Sequence, residues 1–136
     1  MKIVASSGCF DVIHPGHVRL FARMKELAGD DGIVLLFVNV DAYIVRVKTR
    51  KPLISLEDRL EVLTSRRDVD VVISFRANSP CHMIDVVRPD IWVKGIEYRG
   101  VKIPEAAVIE AYGGELVFVD VGYAGHSSDI LRGVGG

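Results

Sequence analysis

Two histidines flank a Pro-Gly pair in the stretch GCFDVIHPGH, residues 8–17. Gly8 has no side chain, so backbone there can lie close to a ligand. Pro15-Gly16 forces a turn into a helix near His17, and His14 and His17, three residues apart, can face one side of its entrance. Unpaired N–H groups and the positive end of a helix dipole favour a phosphate at such a point, and two imidazoles can donate to phosphoryl oxygens. A metal site is a second candidate chemistry, because Cys9, Asp11, His14 and His17 are all ligand types. Their spacing lacks a familiar zinc pattern. A helix cap with two exposed histidines is a third reading. The residues alone leave all three open.

A second cluster lies at VRVKTRK, residues 45–51, which gathers Arg46, Lys48, Arg50 and Lys51. A solvated basic loop explains it as well as an anion site does. The chain as a whole carries a net charge of −1, so any basic site is local. That balance argues against nucleic-acid and membrane-surface partners. The two cysteines, Cys9 and Cys81, form no CxxC pair and no disulfide framework. No signal peptide or transmembrane run is visible, so a cytoplasmic location is expected. GxxxxGK[ST] is absent, and so is GxGxxG after the first strand, which excludes a P-loop and disfavours a standard dinucleotide site.

These clusters need elements to position them. With 136 residues the chain fits one domain, 1–136. Apolar runs of strand length recur at 2–6, 33–40, 70–75, 90–95 and 115–121. They are Val- and Ile-rich and mostly unalternating, as strands buried on both faces of a parallel sheet are. Helical patterns separate them. Val18, Leu20, Phe21, Met24 and Leu27 make the apolar face of the first. Ser55 and Asp58 read as a capping box opening the second. A short helix starts near Ser79-Pro80, another opens at Pro104 and closes at Gly113-Gly114, and a last one starts around Ser127. The expected fold is α/β, a Rossmann-like doubly wound parallel sheet of five strands. In such sheets ligands bind at the carboxyl ends of strands, near a switch in strand order. Residues 8–17, 41–54, 94–99 and 123–128 all fall on that edge. Trp92, inside a strand, reads as core, and Cys81 and His82 as the start of a helix.

GCFDVIHPGH resembles the G-x-F-D-x-x-H-x-G-H signature of the cytidylyltransferase-like nucleotidyltransferases. RPDIWVKGIEY, residues 88–98, is similar to the R-P-D-x-x-V-K-G-x-D-Y motif of the heptose-phosphate adenylyltransferases in that family. GHSSDIL sits where the family has G-x-S-T-T-x-I, with Ser128 and Asp129 at the two threonines. The resemblance spans nearly the whole chain. It implies that CMP or AMP passes from CTP or ATP to a small phosphorylated or phosphonate sugar or alcohol, with pyrophosphate leaving by direct in-line attack. Catalysis is then positioning and charge stabilisation. By resemblance His14 and His17 stabilise the α-phosphoryl group and Lys48 holds the leaving phosphates. Gly8, Cys9, Phe10, Asp11 and Gly16 line the nucleotide, Arg59 orders the triphosphate region, and Ser127 and Ser128 offer hydroxyls to the outer phosphates. Mg²⁺ is expected with the triphosphate, with few protein ligands of its own. A homodimer is also expected.

The acceptor is where the resemblance divides. Glycerol-3-phosphate cytidylyltransferases carry an arginine in the final loop where this chain has Gly122. The Lys94-Gly95 pair leans toward the heptose-type enzymes, but Ile96-Glu97 replaces their usual Gly-Asp. Lys94 and Arg99 are therefore the expected cationic seat for the acceptor. Two other functions fit the same fold: a non-catalytic nucleotide sensor, and an FAD synthetase-type adenylyltransferase.

Overall fold

The computed structural model describes residues 1–41, 44, 51–77 and 79–122. Strands β1 (Ile3–Gly8), β2 (Ile33–Asn39), β3 (Val71–Phe75), β4 (Ile91–Gly95) and β5 (Glu115–Val119) form one sheet in the order β3-β2-β1-β4-β5. Every pairing is parallel. Among the described residues the connecting helices are α1 (Pro15–Ala28), α2 (Leu56–Thr64), α3 (Cys81–Val87) and α4 (Pro104–Ala111). No described helix is long and apolar enough to cross a membrane.

Alternate strand residues face opposite sides of the sheet, and the core divides accordingly. Val4, Leu36, Val38 and Val93 pack with Phe21 and Met24 of α1 and Leu63 of α2. Ala5, Leu35, Phe37 and Trp92 pack on the other side with Ile84 of α3 and Ile109 of α4. Helices thus cover both faces, which is why the central strands read as unbroken apolar runs. Trp92 is fully buried and stacks on Phe37 at 5.9 Å, as its reading as core requires.

Strand and helix boundaries follow local chemistry. The carboxylates of Asp90 and Asp70, each just ahead of a strand, accept the N–H groups of Ile3 and Val34 at 2.8 Å, where the neighbouring strands begin. The Ser55 hydroxyl caps α2 by accepting the Asp58 N–H at 3.3 Å. Gly113, at φ 82°, ends the turn after α4, and the Tyr112 hydroxyl donates to Pro89 O at 2.7 Å. Burial, with help from nearby Asp90, pushes the Tyr112 phenol above its ordinary range. One expectation is corrected. Val18 is exposed, because Gly16, Phe21, Met24 and Ala28 make the buried stripe of α1 and Val18 lies off it. The helix expected around Ser127 lies outside the described residues.

Candidate functional site

The strand order reverses between β1 and β4, so the chain leaves these neighbouring strands in opposite directions and opens a crevice at their carboxyl ends. A cleft of about 370 Å³ occupies that place. Ser6, Ser7 and Gly8 of β1 line one wall, Lys94, Gly95, Glu97 and Tyr98 another, and His14, Gly16 and His17 the floor of α1. Phe10 also lines the cleft, and sequence reasoning named Gly8, Phe10, His14, Gly16, His17 and Lys94 among these residues.

The loop after β1 is built around Phe10. Its backbone takes φ 50°, unusual for a residue with a side chain, and its ring turns back beneath Gly8. A Cβ at Gly8 would lie 3.1 Å from that ring, a contact tight enough that the ring would have to give way by a few tenths of an ångström. The ring is buried and meets His17 edge-on at 5.3 Å and Phe21 at 5.6 Å. The core of α1 therefore supports the second histidine directly.

The two histidines cap the helix reciprocally. His14, extended at φ −134° and ψ 172°, is the N-cap, and its Nδ1 accepts the Gly16 N–H at 3.1 Å. The His17 Nδ1 accepts the His14 N–H at 3.2 Å. Their rings stack at 3.8 Å with 28° between planes. An Nδ1 that accepts a hydrogen bond leaves the proton of a neutral imidazole on Nε2. Each ring thus carries an Nε2–H donor at a helix N-terminus. The capping reading of the sequence is met through the Nδ1 atoms of both rings.

Other expected residues are not among those lining the cleft. Asp11, almost wholly buried, accepts the N–H groups of Leu53 at 3.0 Å and Ile54 at 2.9 Å, anchoring the chain that returns from the basic stretch. Arg59 is only 1% exposed. Its Nη1 donates to Cys9 O and to Asn39 O, both at 2.7 Å, its Nε donates to Ile54 O at 3.1 Å, and its Nη2 pairs with Asp41. One guanidinium thereby joins the ends of β1 and β2 to the segment before α2. The Cys9 thiol lies 3.9 Å from Asn39 Oδ1.

Of the two cations expected to seat the acceptor, Lys94 lines the cleft and Arg99 does not. Arg99 lies over the Phe118 ring at 5.8 Å and is not among the residues lining the cleft. Lys94 does line it, with its Nζ 4.4 Å above the Tyr98 ring and 3.7 Å from Glu105 Oε2. Arg46, Lys48, Arg50, Ser127 and Ser128 lie outside the described residues, as does His126. Sequence reasoning did not name Glu97 and Tyr98, which line the cleft, or Glu105, which meets Lys94. The first two belong to the KGIEY stretch, residues 94–98, which was a usable signal. A Cβ at Gly95 would overlap the Glu97 carboxyl, so glycine there lets the carboxylate fold against the strand end.

The cytidylyltransferase-like family profile matches residues 6–113. The chain belongs to this family of nucleotidyltransferases. It is 40% identical over 130 residues to the bifunctional protein HldE of Nitrosococcus oceani, covering 95% of this chain and 27% of that protein. The HldE protein of Gluconobacter oxydans is 37% identical over 135 residues, covering 98% and 27%. The chain therefore spans about a quarter of the length of these relatives. Among solved structures, a lipopolysaccharide core biosynthesis protein from Thermoplasma volcanium superposes with a TM-score of 0.69 at 25% identity, over 88% of this chain and 98% of that one. A protein of unknown function from Archaeoglobus fulgidus shares the fold, with a TM-score of 0.68 at 22% identity over 93% and 94%.

Proposed function

We propose that this nucleotidyltransferase transfers AMP from ATP to the phosphate of a sugar phosphate, with heptose 1-phosphate as the acceptor to test first. An acceptor phosphate oxygen attacks the α-phosphorus, the bond from that phosphorus to the bridging oxygen breaks, and pyrophosphate leaves. The observation that carries the reading is the stacked His14–His17 pair, with both Nδ1 atoms engaged by backbone at the start of α1, on the floor of the β1/β4 crevice. Held this way, each Nε2–H donates to the α-phosphoryl oxygens as their charge grows. ATP rather than CTP is favoured by the HldE relatives and by the resemblance of RPDIWVKGIEY to the heptose-phosphate adenylyltransferases.

Gly8, Phe10 and Gly16 border the nucleotide in this reading, while Cys9, Asp11 and Arg59 hold the loops that shape its seat. Lys48 takes the leaving phosphates, and Ser127 and Ser128 the outer phosphate oxygens. Lys94 receives the acceptor phosphate, with Arg99 a more distant contributor. The described residues contain no group of three or more His, Cys, Asp or Glu side chains able to hold a metal. In this reading Mg²⁺ comes with the triphosphate, with few protein ligands of its own, and would neutralise charge on the leaving group. A homodimer belongs to the same proposal, and light scattering at the 15.0 kDa of one chain would remove it.

The deciding experiment is pyrophosphate release with ATP, CTP, GTP and UTP against heptose 1-phosphate, other sugar phosphates, glycerol 3-phosphate and FMN. Release with ATP and heptose 1-phosphate is expected. Turnover with CTP and glycerol 3-phosphate would refute the choice of substrates, and turnover with FMN would make the chain an FAD synthetase. Tight nucleotide binding without turnover for any pair would identify a sensor.

A further inference from the structure

Glu105 occupies the first turn of α4, where an acidic side chain ordinarily stands in water and is favoured by the helix dipole. Here the residue is 6% exposed, and its Oε2 is buried without a hydrogen-bond donor among the described residues. A buried carboxylate is strongly disfavoured unless a charge or donor answers it. The cation that answers it is Lys94, whose Nζ stands 3.7 Å away. The separation exceeds hydrogen-bond length, so this is an ionic contact that leaves the ammonium hydrogens available to a third group.

Lys94 is held from two sides. Glu105 lies behind its ammonium, and the Tyr98 ring lies 4.4 Å from it. A lysine at a strand end is free to turn its charged head out to water. The Lys94 side chain instead stays mostly buried and lines the cleft that also contains the histidine pair. Glu105 does not line that cleft, so its influence on a ligand passes through Lys94.

We propose that Glu105 is a positioning residue for the acceptor site: its buried carboxylate holds the Lys94 ammonium at the β4 wall, aimed at the acceptor's phosphate. The proposal rests on the assignment of Lys94 to the acceptor made above. Its consequence is a selective one. Loss of the carboxylate lets the lysine leave the wall, which weakens the acceptor's binding and leaves the nucleotide's untouched.

The test is a double-mutant cycle read by calorimetry. Heptose 1-phosphate is titrated into the full chain saturated with the non-hydrolysable α,β-methylene analogue of ATP. Glu105→Gln, which keeps size and removes charge, should weaken heptose 1-phosphate about tenfold, while Lys94→Ala weakens it at least as much. In the Lys94→Ala background, Glu105→Gln should have no further effect. Affinity for the ATP analogue should stay within about twofold throughout. Should Glu105→Gln lose its fold by circular dichroism, Glu105→Asp retains the charge with a shorter reach and should give a smaller loss of the same selectivity. If heptose 1-phosphate does not bind, or binds Lys94→Ala as tightly as the original chain, the acceptor assignment falls and takes the proposal with it. If Lys94→Ala weakens binding but Glu105→Gln does not, the positioning role alone is overturned. That role is also overturned if the glutamate's effect persists without the lysine.

Discussion

Replacing Arg59 by methionine should destabilise the protein by about 4 kcal/mol. Methionine keeps much of the length and none of the donors, so the Cys9, Asn39 and Ile54 carbonyls all lose a partner at once. An unsatisfied buried polar group costs about 1–3 kcal/mol. The Asn39 bond is buried and the other two are partly buried, so about 2 kcal/mol for the first and about 1 for each of the others is a fair assignment. The Asp41 carboxylate is 44% exposed and can turn to water, so its lost ion pair adds little. With an unfolding entropy of about 2.1 cal/mol/K per residue, 136 residues translate that loss into a drop in melting temperature of about 14 °C. Urea denaturation followed by far-ultraviolet circular dichroism measures it, with an unchanged m-value showing that the same surface unfolds. Arg59→Lys should recover only part, because one ammonium cannot serve carbonyls that the guanidinium reaches from two separate nitrogens. A melting temperature for Arg59→Met within about 2 °C of the original would refute the reasoning. It would mean that water replaces the guanidinium at all three carbonyls.

Two further outcomes concern the chemistry. His14→Asn retains a good N-cap while removing the imidazole Nε2–H, and His17→Ala removes its donor outright. Each should lower kcat by about 10²–10³. His14→Asn should change melting by only a few degrees, and normal turnover in both variants would leave the pair as a helix cap alone. Lys48→Ala should weaken triphosphate binding and slow transfer while affinity for the nucleoside monophosphate changes little. Equal weakening of both would misplace the lysine.

Periodicity and turn chemistry made most of the architecture legible. The five apolar runs became the five strands, with ends shifted by a residue or two, because burial on both faces leaves few polar positions in a central strand; the buried Ser6 of β1 donates its hydroxyl to Val93 O. Ser55, Pro104 and Gly113 marked helix ends for local steric and hydrogen-bonding reasons that need no tertiary contact. The histidine pair was visible too, since its spacing and the Pro-Gly turn are local. What could not be read locally was which tertiary partners the candidate side chains take. Asp11 and Arg59 belong to motifs that resemble a nucleotide site, and only the fold shows that their side chains hold Leu53, Ile54, Cys9 and Asn39. Arg99 follows Lys94 by five residues but lies on Phe118. Glu105 reads as an ordinary first-turn acid, and only the packing of α4 beside β4 buries it against Lys94. Spacing along the chain determines the strands, helix ends and capping histidines, because those forces act over a few residues. The strand order that opens the crevice, and the pairings across 11 to 50 residues that shape its walls, arise only when the sheet assembles.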